Sequence, residues 1–229
     1  MVAQLELKEV SKIYRVGDNV ITALDRVSLS IAKGDFISVV GHSGSGKTTL
    51  VSIVGGILRP SSGQILFEGE DICALGDVDL SGYRNERIGF MFQFASLLPM
   101  LTARENVMLA ALFAQERSRE EQQRADHLLD LVGIGERVEA YPGELSGGQQ
   151  RRVAIARALM NNPGLILADE PTGDLDEETE AEIMKLLGRI NREQEVTMIL
   201  ITHNAALART ADRMLRMKNG RLVGVTERE

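Results

Sequence analysis

The chain holds a single cysteine, Cys73, so no internal disulfide can form and a reducing compartment is the simplest setting. No metal-type spacing surrounds that thiol, which reads as inert rather than catalytic. Long apolar runs are missing as well. The longest, such as Val107 to Ala114, fall far short of the ~20 residues a spanning helix needs. Met1 to Val10 alternates and carries charges, unlike a signal peptide. Work at a membrane would therefore need another chain to make the crossing. Excess positive charge is also absent: 26 basic against 33 acidic side chains leave −7, which argues against a duplex-DNA coat and for local use of the basic residues. Nucleic acid is not an expected partner. No linker, repeat or low-complexity segment splits the 229 residues, and 44% apolar content can bury a full core.

What is present begins with Gly41-His42-Ser43-Gly44-Ser45-Gly46-Lys47-Thr48, which fits the phosphate-loop pattern G-x-x-x-x-G-K-[ST]. The apolar run Phe36 to Val40 precedes it as a buried strand, and the helix-compatible run Thr49 to Val54 follows. Glycines let backbone N–H groups curl around a β-phosphate, and the helix N-terminus adds positive potential. Lys47 can reach the β- and γ-phosphates, and the Thr48 hydroxyl can ligate Mg²⁺. The pattern in this context implies a nucleoside triphosphate site.

Alternation predicts strands over Leu5 to Val10, Ile21 to Leu24 and Val27 to Ile31. Pro60-Ser61-Ser62-Gly63 breaks the chain before a strand at Gln64 to Phe67, and a short apolar run covers Ile88 to Met91. From about Leu97 the texture turns helical. Thr102 with Glu105 has capping-box form before a helix ending near Ala114, and Ser118 with Glu121 repeats the device before Ala125, Leu128, Leu129 and Val132. Gly164 to Ala168 and Val196 to Ile201 read as buried strands around a helix marked by Ile183, Leu186, Leu187 and Ile190. Asn219-Gly220 signals a closing hairpin. The expected fold is α/β with a mostly helical insertion.

Two further segments carry chemistry. Leu165 to Ala168 runs into Asp169-Glu170. At the carboxyl edge of a parallel sheet, Asp169 could hold Mg²⁺ through water while Glu170 polarises an attacking water. As a bare pattern it equally suits a strand followed by a polar turn. In Leu145-Ser146-Gly147-Gly148-Gln149, Ser146 and Gln149 form a capping box for a helix through Met160, and the glycines could mark only a turn. They also make a second anion site at a helix start. One ATP cannot easily use both surfaces, so the second is expected to serve a neighbouring molecule's ATP.

These residues, with Gln93, Gly173-Asp174-Leu175-Asp176 and His203, resemble in order and spacing the nucleotide-binding subunit of an ABC (ATP-binding cassette) transporter. The resemblance covers nearly the whole chain. It implies a RecA-like phosphate-loop NTPase core with an N-terminal antiparallel β subdomain, over 1–93 and 162–229, and an inserted helical subdomain over 94–161. It further implies that the loop through Thr49 wraps the phosphates, that Tyr14 stacks on adenine, and that Gln93 joins Thr48 and Asp169 around Mg²⁺. Glu170 would be the general base, His203 would contact the γ-phosphate, and Asp176 would lie at a dimer seam. Ser146, Gly147 and Gly148 would close over ATP on the opposite protomer of an ATP-dependent homodimer.

Ile88 to Gln93, Leu97-Leu98-Pro99, Glu105-Asn106-Val107 and Ala168 to Gly173 are similar to one branch, which includes lipoprotein-releasing (Lol-type), macrolide-exporting (MacB-type) and cell-division (FtsE-type) ATPases. That branch implies a peripheral protein at the cytoplasmic face of the inner membrane, docked on an integral permease with a large extracytoplasmic domain. It leaves open export or extraction of a lipoprotein, lipid, peptide or drug, or signalling to cell-wall enzymes. The chain departs from the branch at Asp174, where Asn is usual, at Arg151, where Gln is common, and at Thr48, where Ser is common. The Asp174 charge is expected to weaken dimer closure slightly. A soluble ABC protein of translation or repair fits poorly, since two cassettes or a long coiled coil do not fit this length.

Overall fold

The computed structural model describes residues 3–112 and 119–227. Its centre is a six-stranded sheet whose central strands bury both faces. β3 (Phe36–Val40), β6 (Ile88–Met91), β7 (Leu165–Asp169), β8 (Thr197–Thr202) and β9 (Arg213–Lys218) are parallel to their neighbours, and β10 (Arg221–Glu227) adds antiparallel to β9. The spatial order is β10-β9-β3-β8-β7-β6. Alternate residues of these apolar runs face opposite layers, as the pleat requires. Leu165, Leu167, Ile199 and Ile201 join one core with α1 (Lys47–Val54), while Ile166, Ala168, Met198 and Leu200 join the other with the helical segments.

The four-stranded antiparallel sheet lies beyond α1, in the order β2-β1-β4-β5. β1 (Ala3–Val16) and β2 (Asn19–Ala32) are each 14 residues long, joining what alternation divides into Ile21 to Leu24 and Val27 to Ile31. The reason is a bulged register. Pairing slips between Leu7 and Val10 and between Val10 and Lys12, where Glu9 (φ 51°) and Arg26 (φ 47°) adopt left-handed backbone. Ser11 Oγ accepts from Arg26 N and Ser28 Oγ from Glu9 N, each at 3.0 Å, so hydroxyls satisfy amides that leave the ladder. β4 (Ser62–Phe67) and the two-residue β5 (Glu70–Asp71) complete that sheet. The short α2 (Asp77–Gly82), continuing as a π-helical turn through Arg87, lacks a sequence signature.

The helical part begins with α3 (Ala103–Met108), capped reciprocally by Thr102 and Glu105 as the sequence predicts. A 3₁₀ turn continues it over Leu109–Ala111, and the expected end near Ala114 and the Ser118 cap lie outside the described residues. α4 (Arg119–Leu131) and α5 (Gly147–Leu159) follow, with Ser146 and Gln149 forming the expected box on α5. α6 (Glu177–Gln194) and the one-turn α7 (Ala205–Ala208) return the chain to the sheet. Among the described residues no helix is long and apolar enough to cross a membrane.

Asn106, fully buried, ties the loop before α3 together. Its Oδ1 accepts from Leu98 N at 2.8 Å, and its Nδ2 lies 3.0–3.1 Å from the carbonyls of Leu98, Leu101 and Thr102. Asn106→Ala strands these backbone groups, a loss of about 2–4 kcal/mol. Thermal unfolding should move down on the order of 10 °C in a domain of this size. A midpoint unchanged within about 2 °C would contradict this account of the loop.

Candidate nucleotide site

Four parallel strands end at one edge of the sheet, with Val40 paired to Thr202, Asp169 to Ile201, and Met91 to Ala168. The loops leaving these ends therefore meet, at the place where open α/β sheets take ligands. The loop after β3 is the glycine-rich segment. Gly46 sits at φ 105°, where a Cβ would lie 2.3 Å from the Ala23 carbonyl oxygen, so no other residue fits. Gly220 N donates to Ser45 O and Asp25 N donates to Gly220 O, both at 2.9 Å. The turn between β9 and β10 thus bridges the loop to β2. Lys47, buried along its stem, donates to the carbonyls of Gly41 at 2.8 Å and His42 at 3.1 Å.

A cavity of about 550 Å³ opens above this loop. Ser43 to Thr49 floor it, Gln93, Asp169, Glu170, Gly173 and His203 close one side, and Tyr14, Ile21, Thr22 and Ala23 close the other. Ile21, Thr22 and Ala23 carry no motif, and only the antiparallel pairing that sets Ile21 opposite Tyr14 brings them here. Gly41 and His42 support the loop through their carbonyls without lining the cavity. Tyr14 is half-buried, with Lys12 Nζ 5.3 Å from its ring centroid.

The acidic pair divides its work by environment. Burial pushes the Asp169 carboxyl above the usual range and Glu170 adds to this, while a hydrogen bond with the Thr48 hydroxyl and the charge of Lys47 oppose it. Glu170 has left-handed backbone (φ 49°), held by its N–H to Ile201 O at 2.9 Å. A non-glycine residue in that conformation stores strain of the kind found at functional sites. His203 Nδ1 lies 2.7 Å from Glu170 Oε2.

Ser146, Gly147, Gly148 and Asp176 are absent from this cavity wall. Ser146 and Gly147 stand exposed at the N-terminus of α5, and Gly148 packs so closely on Thr179 that a Cβ would lie 2.6 Å from its methyl group. Asp176 caps α6, accepting from Thr179 N at 3.0 Å and from its hydroxyl at 2.7 Å, and these bonds hold its carboxyl below the usual range.

The family model for ABC transporters matches residues 24–173, from the middle of the bulged β2 to the loop after Glu170. The chain belongs to the ABC transporter family. It is 46% identical to a lipoprotein-releasing system ATP-binding protein LolD of Geobacter metallireducens, over 97% of this chain and 99% of that one. It is 45% identical to a macrolide export ATP-binding/permease protein MacB of Rhodopirellula baltica, covering 94% of this chain but 32% of that longer protein. Among solved structures it is similar to the dimeric post-hydrolysis state of the ATP-binding cassette MJ0796 bound to ADP and Pi, with TM-score 0.89, 40% identity and coverage of 98% and 99%. As a member of this family the chain is an ATP-binding and ATP-hydrolysing subunit with the RecA-like core.

One departure from the branch takes on a different character in three dimensions. The Asp174 carboxylate expected to oppose dimer closure is not a lone charge, because Arg151 reaches it at 2.5 Å.

The raised Asp169 carboxyl yields a prediction. A group whose folded value lies above its unfolded one favours the folded state when protonated, so its ionisation subtracts stability as pH rises through the carboxylate range. In nucleotide-free protein at neutral pH, Asp169→Asn should therefore raise the thermal midpoint, with the gain shrinking as pH falls toward 4. A lower midpoint across the whole pH range would contradict this.

Proposed function

We propose that two copies of this chain enclose two ATP molecules and drive an integral membrane permease by closing and reopening. The observation that carries the reading is the exposure of Ser146 and Gly147 at a helix N-terminus outside the chain's own cavity. A helix start carries N–H groups without intrahelical partners and positive potential, which suit a phosphate brought by another molecule.

Within one copy, backbone N–H groups of the loop from Gly41 to Thr49 cradle the β-phosphate, and Lys47 leaves the Gly41 and His42 carbonyls for the β- and γ-phosphates. Tyr14 presents an aromatic face at the far end of the cavity for adenine. Mg²⁺ fits the donors at hand. Thr48 and Asp169 already share a hydrogen bond, Gln93 lines the same wall, and hard oxygen donors of this kind suit that ion. When bound, it neutralises charge building on the phosphate oxygens.

Glu170 takes a proton from the attacking water while the water oxygen bonds to the γ-phosphorus. The bond to the β–γ bridging oxygen breaks, giving ADP and phosphate. His203 Nδ1 pairs with Glu170 Oε2 and orients the carboxylate, and the ring contacts the γ-phosphate. Asp176, at the start of α6, lies at the seam between copies.

The permease contact we assign to the inserted part, residues 94–161, with the remainder forming the core. Phe94 (65% exposed), Leu98 (44%) and Met100 (76%) stand out from it. Beside them a cavity of about 330 Å³ is lined by Arg84, Phe90, Phe92, Ser96, Ala110 and Arg157, apolar with a cationic rim. A short amphipathic helix from the cytoplasmic side of a permease suits that groove. The names of the relatives support a permease partner and a client that is a lipoprotein or a drug. The partner's large extracytoplasmic domain, a lipid or peptide as client, and the inner-membrane location come from the branch resemblance.

Glu170→Gln separates binding from turnover. It should retain ATP yet lose roughly 10²-fold or more in hydrolysis, the usual scale of acid–base assistance. With ATP and Mg²⁺, the same protein should co-purify with an integral protein of large extracytoplasmic domain from detergent-solubilised membranes of its host. Near-normal hydrolysis would remove Glu170 as the base, and recovery of soluble partners alone would remove the membrane role.

A further inference from the structure

We propose that Arg151 is a positioning residue that holds the loop carrying Gln93 and the loop carrying Asp176 in one fixed relation, so that the ATP site and the face offered to the second copy are set together. The inference rests on the roles given above to Gln93 and Asp176. Arg151 lies on α5, five residues after Ser146, and is only 1% exposed. Its Nη1 donates to Phe92 O at 2.9 Å, and its Nη2 donates to Gln93 O at 2.6 Å and to Asp174 Oδ1 at 2.5 Å. The first two acceptors leave the end of β6. The third lies beyond the end of β7, two residues before Asp176.

Burying a guanidinium is costly, and an apolar side chain could fill the same volume. Here the charge goes to three acceptors on two separate loops, an arrangement that suits a planar fork and not the point charge of lysine. Six residues along the same helix, Arg157 donates to Ala95 O at 2.7 Å and Ser96 O at 2.8 Å. The run from Phe92 to Ser96 therefore hangs on α5 by its carbonyls. A rigid-body shift of α5 carries that run with it, and through Asp174 carries the seam loop as well.

The sequence pattern bears on this directly. Arg151 and Asp174 are two of the three departures from the branch, and they are each other's partners. The two form one charged pair. Its members are unequal, since the Asp174 side chain is 45% exposed against 2% for Arg151. Water can stand in for Asp174 but not for Arg151.

A double-mutant cycle tests this, with turnover, KM for ATP, ATP-driven dimerisation in the Glu170→Gln background, and the thermal midpoint of nucleotide-free protein read for each member. Arg151→Gln should lose roughly 10-fold in kcat and in dimer affinity with KM little changed, the scale of coupling between contacting charged groups. Asp174→Asn should lose less, about 2–3-fold, because Arg151 keeps both carbonyls. The double variant should lose no more than Arg151→Gln alone, because without the guanidinium Asp174 has nothing left to hold. Arg151→Lys keeps the charge and loses the fork, so it should remain impaired even if Arg151→Gln folds poorly. Single variants equal to wild type, losses that multiply in the double variant, or losses that only follow the thermal midpoint would each overturn the proposal. If Glu170→Gln abolishes turnover while all members of the cycle stay equal, this inference fails alone and the assignment of the site survives.

Discussion

Val40, Thr202, Asp169 and Met91 end four parallel strands at one edge of the sheet, and the ladder that aligns them gathers the chemistry of this chain. A lysine, two carboxylates, an amide and an imidazole come from positions as distant as 47 and 203, yet all line one cavity. Strand burial on both faces fixes the register, because slipping any strand by one residue would turn its apolar set to the wrong layer. The stability of the core and the geometry of the site thus rest on the same hydrogen bonds.

From that edge the molecule divides its tasks. The antiparallel sheet brings Tyr14 and β2 over the glycine-rich loop, and the β9–β10 turn clamps that loop from beneath through Ser45 and Gly220. The helical part carries the exposed N-terminus of α5, outside the lining of the chain's own cavity, and an apolar groove. Arg151 and Arg157 of α5 join these surfaces to the sheet by gripping backbone carbonyls, and Arg151 adds the Asp174 carboxylate. At the site itself, Glu170 combines left-handed backbone with the His203 imidazole, and together they aim one carboxylate.

Much of this was legible in the residues. The phosphate loop, the buried strands of the parallel sheet and the capping boxes at Thr102 and Ser146 each follow from local chemistry, and local chemistry is what a linear pattern records. The antiparallel strands were read as pieces because bulges at Glu9 and Arg26 reset the phase of alternation. α2 and α7 were missed because each is too short for a period to show. The cavity wall at Thr22 and Ala23 could not be seen, since those residues owe their place to pairing across a sheet. Asp174 was read as a free charge for the same reason: its partner lies 23 positions away on another element.

The central claim is that one copy holds only part of an ATP site and that Ser146 of a second copy completes it. Sedimentation of Glu170→Gln protein with ATP and Mg²⁺, compared with the same protein also carrying Ser146→Arg, tests it most directly. The account predicts a species of twice the monomer mass for the first. For the second it predicts a monomer that still binds ATP with unchanged affinity. Equal dimerisation by both, or loss of ATP binding by the Ser146→Arg monomer, would contradict it.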